Sequence, residues 1–450
     1  MRLIRSCRNA LAVCAGVVGL LAALAAPARA IPSFARQTKL PCSACHTQFP
    51  ELNAFGRVFK LNGYTLRMIE TIEAGDTLGH QDLSINLMPL PSVMVQASET
   101  YTQRPQGATT NGTVSLPQQL SVFLAGAITP KVGAFIQVTY SPDAGTVEMD
   151  NASIRFATPV TLAAKPGIFG LSLNNNPTVQ DVWASTPAWG FPFEGSAVAP
   201  TPAAATLVDG GLAEQVAGLS AYLFWNDALY VEAGAYRWAP QGAPQIPDGT
   251  VKQVVDGVAP YWRVALTHSF GDNYVMVGTY GLYARRQPAS FVNAGATDTY
   301  SDIAFDAQWQ RPLGANDLTV TATWIHETRA LGASKDSGLV AVSSQTVNTF
   351  RARATLHVGQ RYAFTVGPFV TTGTADSVLY ASGALSGSST HSPNSAGAIA
   401  EVDWNVWMNA RLSLQYTYYT KFNGASTNYD GAGRNASDNN TLYAVIWLMF

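Results

Sequence analysis

The sequence predicts an all-β transmembrane barrel of about sixteen antiparallel strands, preceded by a small α-helical segment. Apolar and polar residues alternate from residue 92 onward, which is the period of strands with two different faces. The alternating segments come in pairs, with a short connection inside each pair and a long one, rich in Gly, Ser, Asn and Thr, after it. Hydrophobic residues make up 47% of the 450 positions, yet no stretch after residue 30 is long and apolar enough for a transmembrane helix.

Residues 1–30 have the pattern of a signal peptide. Three arginines precede an apolar stretch from Leu11 to Ala25, and Ala28-Arg29-Ala30 provides a cleavage site with small residues. A membrane anchor is the alternative, which the short apolar run disfavours. Cleavage would leave Cys42 and Cys45 as the only cysteines of an exported chain. Such a pair can form a local disulfide, a redox-active dithiol or two thioether bonds.

Cys42-Ser43-Ala44-Cys45-His46 matches the attachment motif of c-type haem. Two thiols at this spacing can add to the two vinyl groups on one porphyrin edge, and the following histidine can reach the iron. A thioredoxin-like dithiol requires a βαβ context, which is missing here. The motif therefore predicts one covalent haem c bound by Cys42, Cys45 and His46.

The residues after the motif predict a short helix that covers the porphyrin. Aromatic and aliphatic side chains recur at helical spacing in Phe49, Leu52, Phe55 and Phe59. Pro50 suits the first turn of this helix, and Asn62-Gly63 suits its end. We expect Phe55 to contact the haem.

Basic residues in the same region are candidate partners of the haem propionates. They are Arg36, Arg57 and Lys60. The alternative for each is a solvated surface charge. The segment is too short for an ordinary independent core, so we expect it to need its haem and a neighbouring structure for stability. The chain thus divides into a signal peptide (1–30), a haem segment (31–90) docked in or at a barrel lumen, and the barrel (91–450).

Sixteen segments carry the strand pattern. They are 92–103, 118–129, 132–141, 149–158, 166–174, 211–225, 228–238, 259–270, 273–285, 299–312, 317–329, 347–358, 361–372, 397–408, 410–421 and 439–450. Ser153 and Arg155 fall on one face of their segment and Ile154 on the other, so we expect a polar lumen and a lipid-facing exterior. A barrel of this size encloses a lumen, which can be a channel or can hold the haem segment. The last segment ends at Phe450, as is typical of outer-membrane porins.

The second axial ligand is predicted from strand alternation. Val93 and Val95 share the lipid-facing side, so Met94 faces the lumen and can reach a haem docked there. Methionine would raise the haem potential relative to a second histidine. The other candidates are Met68, Met88, His80, His268, His326, His357 and His391.

NNNPTVQDVWASTPAWGFPF, residues 174–193, allows two interpretations. With Trp183 and Trp189 it can fold inward, narrow the pore and shield the haem. Alternatively, it is a surface loop with aromatic residues at the membrane interface.

SFARQTKLPCSACHTQFPELNAFGRVFKLNGY, residues 33–64, resembles the fused monohaem cytochrome c–porins of the outer membrane of iron-oxidising bacteria. Residues 174–193 resemble the long early loop of that family, and with the leader, barrel pattern and terminal Phe450 the resemblance covers the whole chain. It implies one covalent haem, a porin-like barrel and uptake of electrons from extracellular Fe(II), with a periplasmic cytochrome or other carrier as acceptor.

Other functions remain open at this stage. A porin whose haem segment is a plug or sensor would conduct solutes, and a haem peroxidase would have a vacant sixth position. The same conduit could also deliver electrons outward. The formal net charge of −2 gives no indication of nucleic-acid binding, and no catalytic triad, phosphate loop or zinc motif is present in the sequence. We therefore predict an electron-transfer protein with Fe(II) oxidase activity and no catalytic side chains of its own.

Overall fold

The structure is a computed structural model that describes residues 32–66, 71–73, 84–86, 91–106, 111–142, 145–239, 254–288 and 295–450. The predicted leader and three candidate ligands, Met68, His80 and Met88, lie outside the described residues. Within the described part, no helix is long and apolar enough to cross a membrane.

Sixteen antiparallel strands close into one barrel, in which each strand pairs with its neighbours in the chain and the last pairs with the first. They are β1 (Pro91–Thr102), β2 (Val114–Thr129), β3 (Val132–Ser141), β4 (Thr146–Leu162), β5 (Lys165–Asn174), β6 (Val216–Trp225), β7 (Leu229–Trp238), β8 (Ala259–Phe270), β9 (Asn273–Arg286), β10 (Asp298–Leu313), β11 (Asn316–Ala330), β12 (Ser344–Val358), β13 (Tyr362–Gly373), β14 (Ser395–Trp407), β15 (Ala410–Lys421) and β16 (Thr441–Met449). The predicted fold class is confirmed.

One strand begins later than the alternation predicts. The predicted strand 211–225 starts at Val216, and the residues before it end a loop that folds into the lumen. Leu212 is buried there, and Glu214 has a φ of 63°, a left-handed conformation that interrupts an extended strand. The apolar residues before Val216 are therefore explained by burial in this loop, and they do not belong to a strand.

The two faces of the barrel differ as the alternation predicts. Ser153 and Arg155 are buried in the lumen, whereas Ile154 between them is exposed on the outside. Other lumenal charged residues that are buried include Arg263, Glu232, Asp302, Asp306, Glu327, Arg353 and Glu401. Large apolar side chains cover the outer face, including Leu120, Val122, Leu124, Leu171, Leu173, Leu219, Val264, Leu266, Phe305, Val366, Val402 and Leu414. A closed barrel with an apolar exterior and a polar interior is an integral protein of the outer membrane.

The two ends of the barrel also differ. Seven connections of two or three residues lie at one end, where β1 begins and β16 ends. The longer connections lie at the other end. Short turns face the periplasm in barrels of this type, so we call the first end the periplasmic end and the other the outer end.

The haem segment lies in the lumen near the periplasmic end. It contains α1 (Pro32–Thr38), a 3-10 turn at Cys42–Ala44, a small hairpin formed by His46–Gln48 and Glu51–Leu52, and α2 (Ala54–Leu61). The predicted end of the helix at Asn62-Gly63 is confirmed, but its predicted start near Pro50 is wrong. Asn53 caps α2 by accepting a hydrogen bond from the Gly56 amide, and the residues before it pair as strands.

The loop between β5 and β6, residues 175–215, fills much of the rest of the lumen. We call it the lumenal loop. Thr178, Val179 and Gln180 in it are fully buried. Its hydrogen bonds reach strands on all sides of the wall: Gln180 to Tyr236 on β7, Trp183 to Tyr274 on β9, Ser185 to Asp306 on β10, Glu194 to Gln415 on β15, Ser196 to Thr100 on β1 and Gly195 to Gln118 on β2. The prediction that residues 174–193 fold inward is therefore confirmed, and their role in shielding a haem stays a prediction.

Candidate haem site

A cavity of about 860 Å³ lies at the periplasmic end of the lumen. Cys42, Cys45 and His46 line it, and β1, β2, β3, β14, β15 and β16 contribute lining residues from the wall. Its volume is in the range of about 300–1,000 Å³ that small-molecule and cofactor sites occupy. The structure thus brings the three motif residues to one space inside the barrel.

The lining of this cavity is strongly aromatic. The rings come from the haem segment, the lumenal loop and the wall: Phe34, Phe49, Phe59, Tyr64, Phe123, Phe135, Trp189 and Trp447. Inward-facing rings on β2, β3 and β16 break the rule that porin lumens are polar. Phe123, Phe135 and Trp447 are apolar residues at lumen-facing positions, as Met94 is. The reasoning that identifies Met94 from the sequence would therefore have identified these three rings as well.

Asn53 holds the cysteine motif in shape. Its side-chain amide donates to the carbonyl oxygens of Ser43 and Ala44 at 3.2 and 3.0 Å, and its backbone N–H donates to the Cys45 carbonyl at 2.9 Å. Its side-chain oxygen accepts from the Gly56 amide at 2.9 Å. One residue therefore joins the motif to the first turn of α2.

Helix α2 packs directly on the motif backbone at Gly56. A β-carbon at this position would lie 2.1 Å from the Cys45 carbonyl oxygen, which is closer than any real contact. Gly56, Phe59 and Lys60 form the face of α2 that lines the cavity, as expected for positions three and four residues apart.

His46 is held by its own hairpin. Its Nδ1 lies 3.3 Å from the Glu51 carbonyl oxygen and can donate to it, which leaves Nε2 with the lone pair that binds a metal. Burial lowers the pKa of the His46 imidazole to about 4. The ring is thus neutral at physiological pH and suited to ligate iron.

Glu51 ties this hairpin to the barrel wall. Its carboxylate lies 2.7 Å from the Arg353 guanidinium and 3.6 Å from His357 Nε2, both on β12. Burial opposes ionisation of Glu51, but Arg353 and His357 hold the pKa of this carboxyl below its usual range. Glu51, whose carbonyl oxygen orients His46, is therefore held in place by its ion pair with Arg353. Both side chains of this pair are almost fully buried.

The electrostatics of the thiols disfavour dithiol chemistry. Burial, with a smaller contribution from Cys42, raises the pKa of the Cys45 thiol to about 11. Redox-active CxxC motifs instead contain a thiol with a lowered pKa.

Three residues that the sequence predicts to contact the haem or its propionates do not line the cavity. Arg57 donates to Gln310 on β10 at 2.6 Å and lies 4.1 Å from the Tyr274 ring centre, so it anchors α2 to the wall. Arg36 is exposed and donates to the Pro91 carbonyl at 3.3 Å. Phe55 is 43% exposed. The cavity face of α2 passes through Gly56, Phe59 and Lys60, and the helical period places Phe55 and Arg57 on other sides.

Among the described residues of the haem segment, Lys60 is the basic residue that lines the cavity. Its Nζ donates to the Asp181 carbonyl at 2.7 Å and lies 4.4 Å from the Trp189 ring centre. Burial, with help from Arg155, lowers the pKa of Lys60 well below its usual value. An anionic group entering the cavity would compensate this buried amine, as a propionate would.

Met94 faces the lumen as predicted and is buried beside the cavity. It packs with Phe123, Trp447 and Met449, but it is not among the residues that line the cavity. The four histidines considered as remote ligands, His268, His326, His357 and His391, do not line it either.

Comparisons with known proteins show no relative in sequence: no family model matches the chain, and no curated protein matches it. Among solved structures, the anion-selective porin from Comamonas acidovorans aligns at 12% identity with a TM-score of 0.46, over 80% of this chain and 98% of the porin. A loop-deletion mutant of the outer membrane protein OmpT of Vibrio cholerae aligns at 11% identity with a TM-score of 0.45, over 80% of this chain and 98% of OmpT. A likeness this distant shows neither family nor function, and the assignment to the outer membrane is based on the barrel itself.

Proposed function

We propose that this protein holds one covalent haem c inside its barrel and carries electrons across the outer membrane. The observation that supports this most strongly is the convergence of Cys42, Cys45 and His46 on one aromatic cavity within the lumen. A thiol pair and a neutral imidazole are the donor set that haem c requires. The resemblance of residues 33–64 to the cytochrome–porin fusions points to the same function.

Each part of the site has a role in this proposal. Bound haem supplies one-electron oxidation and reduction. Cys42 and Cys45 attach the porphyrin edge, and His46 presents Nε2 to the iron while Glu51 holds Nδ1. The aromatic lining excludes water, and Lys60 is placed to pair with a propionate.

We propose extracellular Fe(II) as the electron donor and a periplasmic cytochrome or other carrier as the acceptor. The hydrocarbon layer is about 30 Å thick, and a haem in the lumenal cavity would divide the distance between an external donor and a periplasmic carrier. The lumenal loop occupies the space between the cavity and the outer end. Hydrated iron would therefore remain outside while the electron crosses through protein, and insoluble Fe(III) would not accumulate in the periplasm.

The first experiment tests for the cofactor. Purified protein should give a pyridine haemochrome spectrum of haem c with a stoichiometry of about one per chain, as one CxxCH motif requires. Cys42→Ala combined with Cys45→Ala should abolish covalent haem while an unrelated surface change, Lys131→Ala, should leave it in place. Wild-type protein without haem after expression with cytochrome c maturation factors would overturn the proposal.

The second experiment tests the donor. Oxidised protein in detergent is mixed anaerobically with Fe(II), and the visible spectrum is followed from milliseconds to seconds. Appearance of the reduced haem c spectrum supports iron oxidation. Reduction by dithionite but not by Fe(II) at acidic and neutral pH would exclude iron as donor and favour outward electron flow.

A further inference from the structure

We propose that Met449 is the second axial ligand of the haem iron, an inference that depends on the proposed function. Met449 is 7% exposed, faces the lumen and lines the cavity together with His46. It is the penultimate residue of the chain.

Met449 belongs to an apolar cluster that reaches the His46 ring. Met449 packs with Trp447 and Met94 in this cluster, and Phe49 packs against it. The Phe49 ring lies 5.2 Å from the Trp447 ring and 5.3 Å from the His46 imidazole, measured between ring centres. Phe49 therefore connects the His46 ring to the cluster that contains Met449, and both His46 and Met449 line the cavity.

Met94 was the ligand predicted from the sequence, and the structure favours Met449 over it. The two residues are paired across β1 and β16, so they lie at the same depth in the barrel. Met449 lines the cavity and Met94 does not. The Met94 sulfur also lies 4.0 Å from the Gln96 side-chain amide, which can donate to it.

Other cavity-lining residues within the described part are less suited to the axial position. Met408 is 53% exposed in the turn between β14 and β15, and its carbonyl lies 3.7 Å from the Cys42 sulfur, at the expected thioether edge. Lys60 is committed to the Asp181 carbonyl. The Tyr64 ring stacks on Phe34 with ring centres 5.3 Å apart.

Placing the ligand on β16 would link haem ligation to closure of the barrel. Met449 donates its backbone N–H to the Asn409 carbonyl at 2.9 Å. Phe450 and Val93 exchange two backbone hydrogen bonds at 2.7 and 2.9 Å where the last strand meets the first. The sulfur would then reach the iron only after β16 has joined β1. Methionine ligation would also raise the potential of the haem, which suits an acceptor for electrons from iron.

The test compares Met449→Leu with Met94→Leu and Met408→Leu in full-length protein purified with its haem. We expect the wild type to show the weak red charge-transfer band of methionine-ligated ferric haem c. Met449→Leu should abolish this band and lower the reduction potential, and the two control variants should keep the band. Met449→His should restore a six-coordinate low-spin spectrum at a lower potential.

Two results would overturn the assignment: a wild type without the methionine band, or a Met449→Leu variant that keeps it. Loss of the band in Met94→Leu alone would assign the ligand to Met94 instead. Circular dichroism and heat-modifiable gel mobility establish that each variant has a folded barrel. Absence of covalent haem from the wild type would be a failure of the proposed function, and the pyridine haemochrome assay detects it separately.

Discussion

At the scale of single residues, the haem segment depends on a few side chains that each make several contacts. Asn53 caps α2 and binds the backbone of the cysteine motif. Glu51 binds His46 through its carbonyl and β12 through its carboxylate. Neither role follows from the CxxCH motif, because both depend on how the chain turns after His46.

Gly56→Ala should disturb the haem segment. The added methyl group would collide with the Cys45 backbone oxygen, which cannot rotate away as a side chain can. We expect a cost of about 1–3 kcal/mol, the usual range for overpacking, and a lower haem content per folded barrel. The control is Gly332→Ala, where an added β-carbon meets nothing within 4 Å. Equal haem content in both variants would contradict the proposed close packing.

Arg353→Met should release the hairpin of the haem segment from the wall. Arg353 is 3% exposed, and its loss would leave the buried Glu51 carboxylate without its cation. Breaking a buried pair in this way costs about 3–5 kcal/mol. Hydrogen exchange measured by mass spectrometry should show faster exchange at residues 46–61.

Arg351→Met is the matched control on the same strand. The Arg351 side chain is 40% exposed in its ion pair with Asp209, so its removal should cost only about 0–1 kcal/mol. If both variants left exchange at residues 46–61 unchanged, the Glu51–Arg353 pair would not be what holds the hairpin.

At the scale of elements, the lumenal loop is held by one buried carboxylate in particular. Asp181 accepts backbone N–H groups from Trp183, Ser185 and Thr186 at 3.1–3.3 Å. It also lies 3.5 Å from Arg263, which pairs with Asp306 at 2.6 Å. Asp181 therefore fixes the turn of the lumenal loop at residues 181–186 and connects it to the barrel wall through Arg263.

Asp181→Ala should therefore loosen the lumenal loop and increase ion conductance. The change removes the acceptor of three backbone N–H groups, and leaving a buried donor unsatisfied costs about 1–3 kcal/mol. Arg263 keeps Asp306 as its one carboxylate partner. Planar bilayer recordings should show open events that the wild type lacks. Asp209→Ala, in the same loop but paired with the partly exposed Arg351, should leave the conductance unchanged. Equal conductance of both variants would contradict the anchoring role of Asp181.

At the scale of the whole molecule, two parts of the chain, the haem segment and the lumenal loop, enter the lumen of the barrel. The haem segment and the cavity that it lines lie at the periplasmic end, and the lumenal loop contacts β1, β2, β6, β7, β9, β10 and β15. The barrel has the strand number of a porin, but the haem segment and the lumenal loop occupy much of its described interior.

Wild-type protein in planar bilayers should conduct ions far less than an open porin. A sixteen-stranded barrel with a water-filled lumen forms an aqueous channel, and we expect a much lower conductance here because the lumenal loop and the haem segment replace part of that water. The recordings should use protein of known haem content. Conductance equal to that of an open porin would support the alternative of a solute channel with a haem plug.

The sequence alone determined the strands, the side of the barrel that each residue faces, the fold class and the haem attachment motif. These features are local, because the pleat imposes a period of two on every strand and the CxxCH pattern lies within five consecutive residues. Only the tertiary structure decided that residues 174–193 fold inward, that Glu51 pairs with Arg353 and that Met449 lines the cavity while Arg57 and Phe55 do not. These contacts join residues far apart in the chain, and closure of the barrel brings them together.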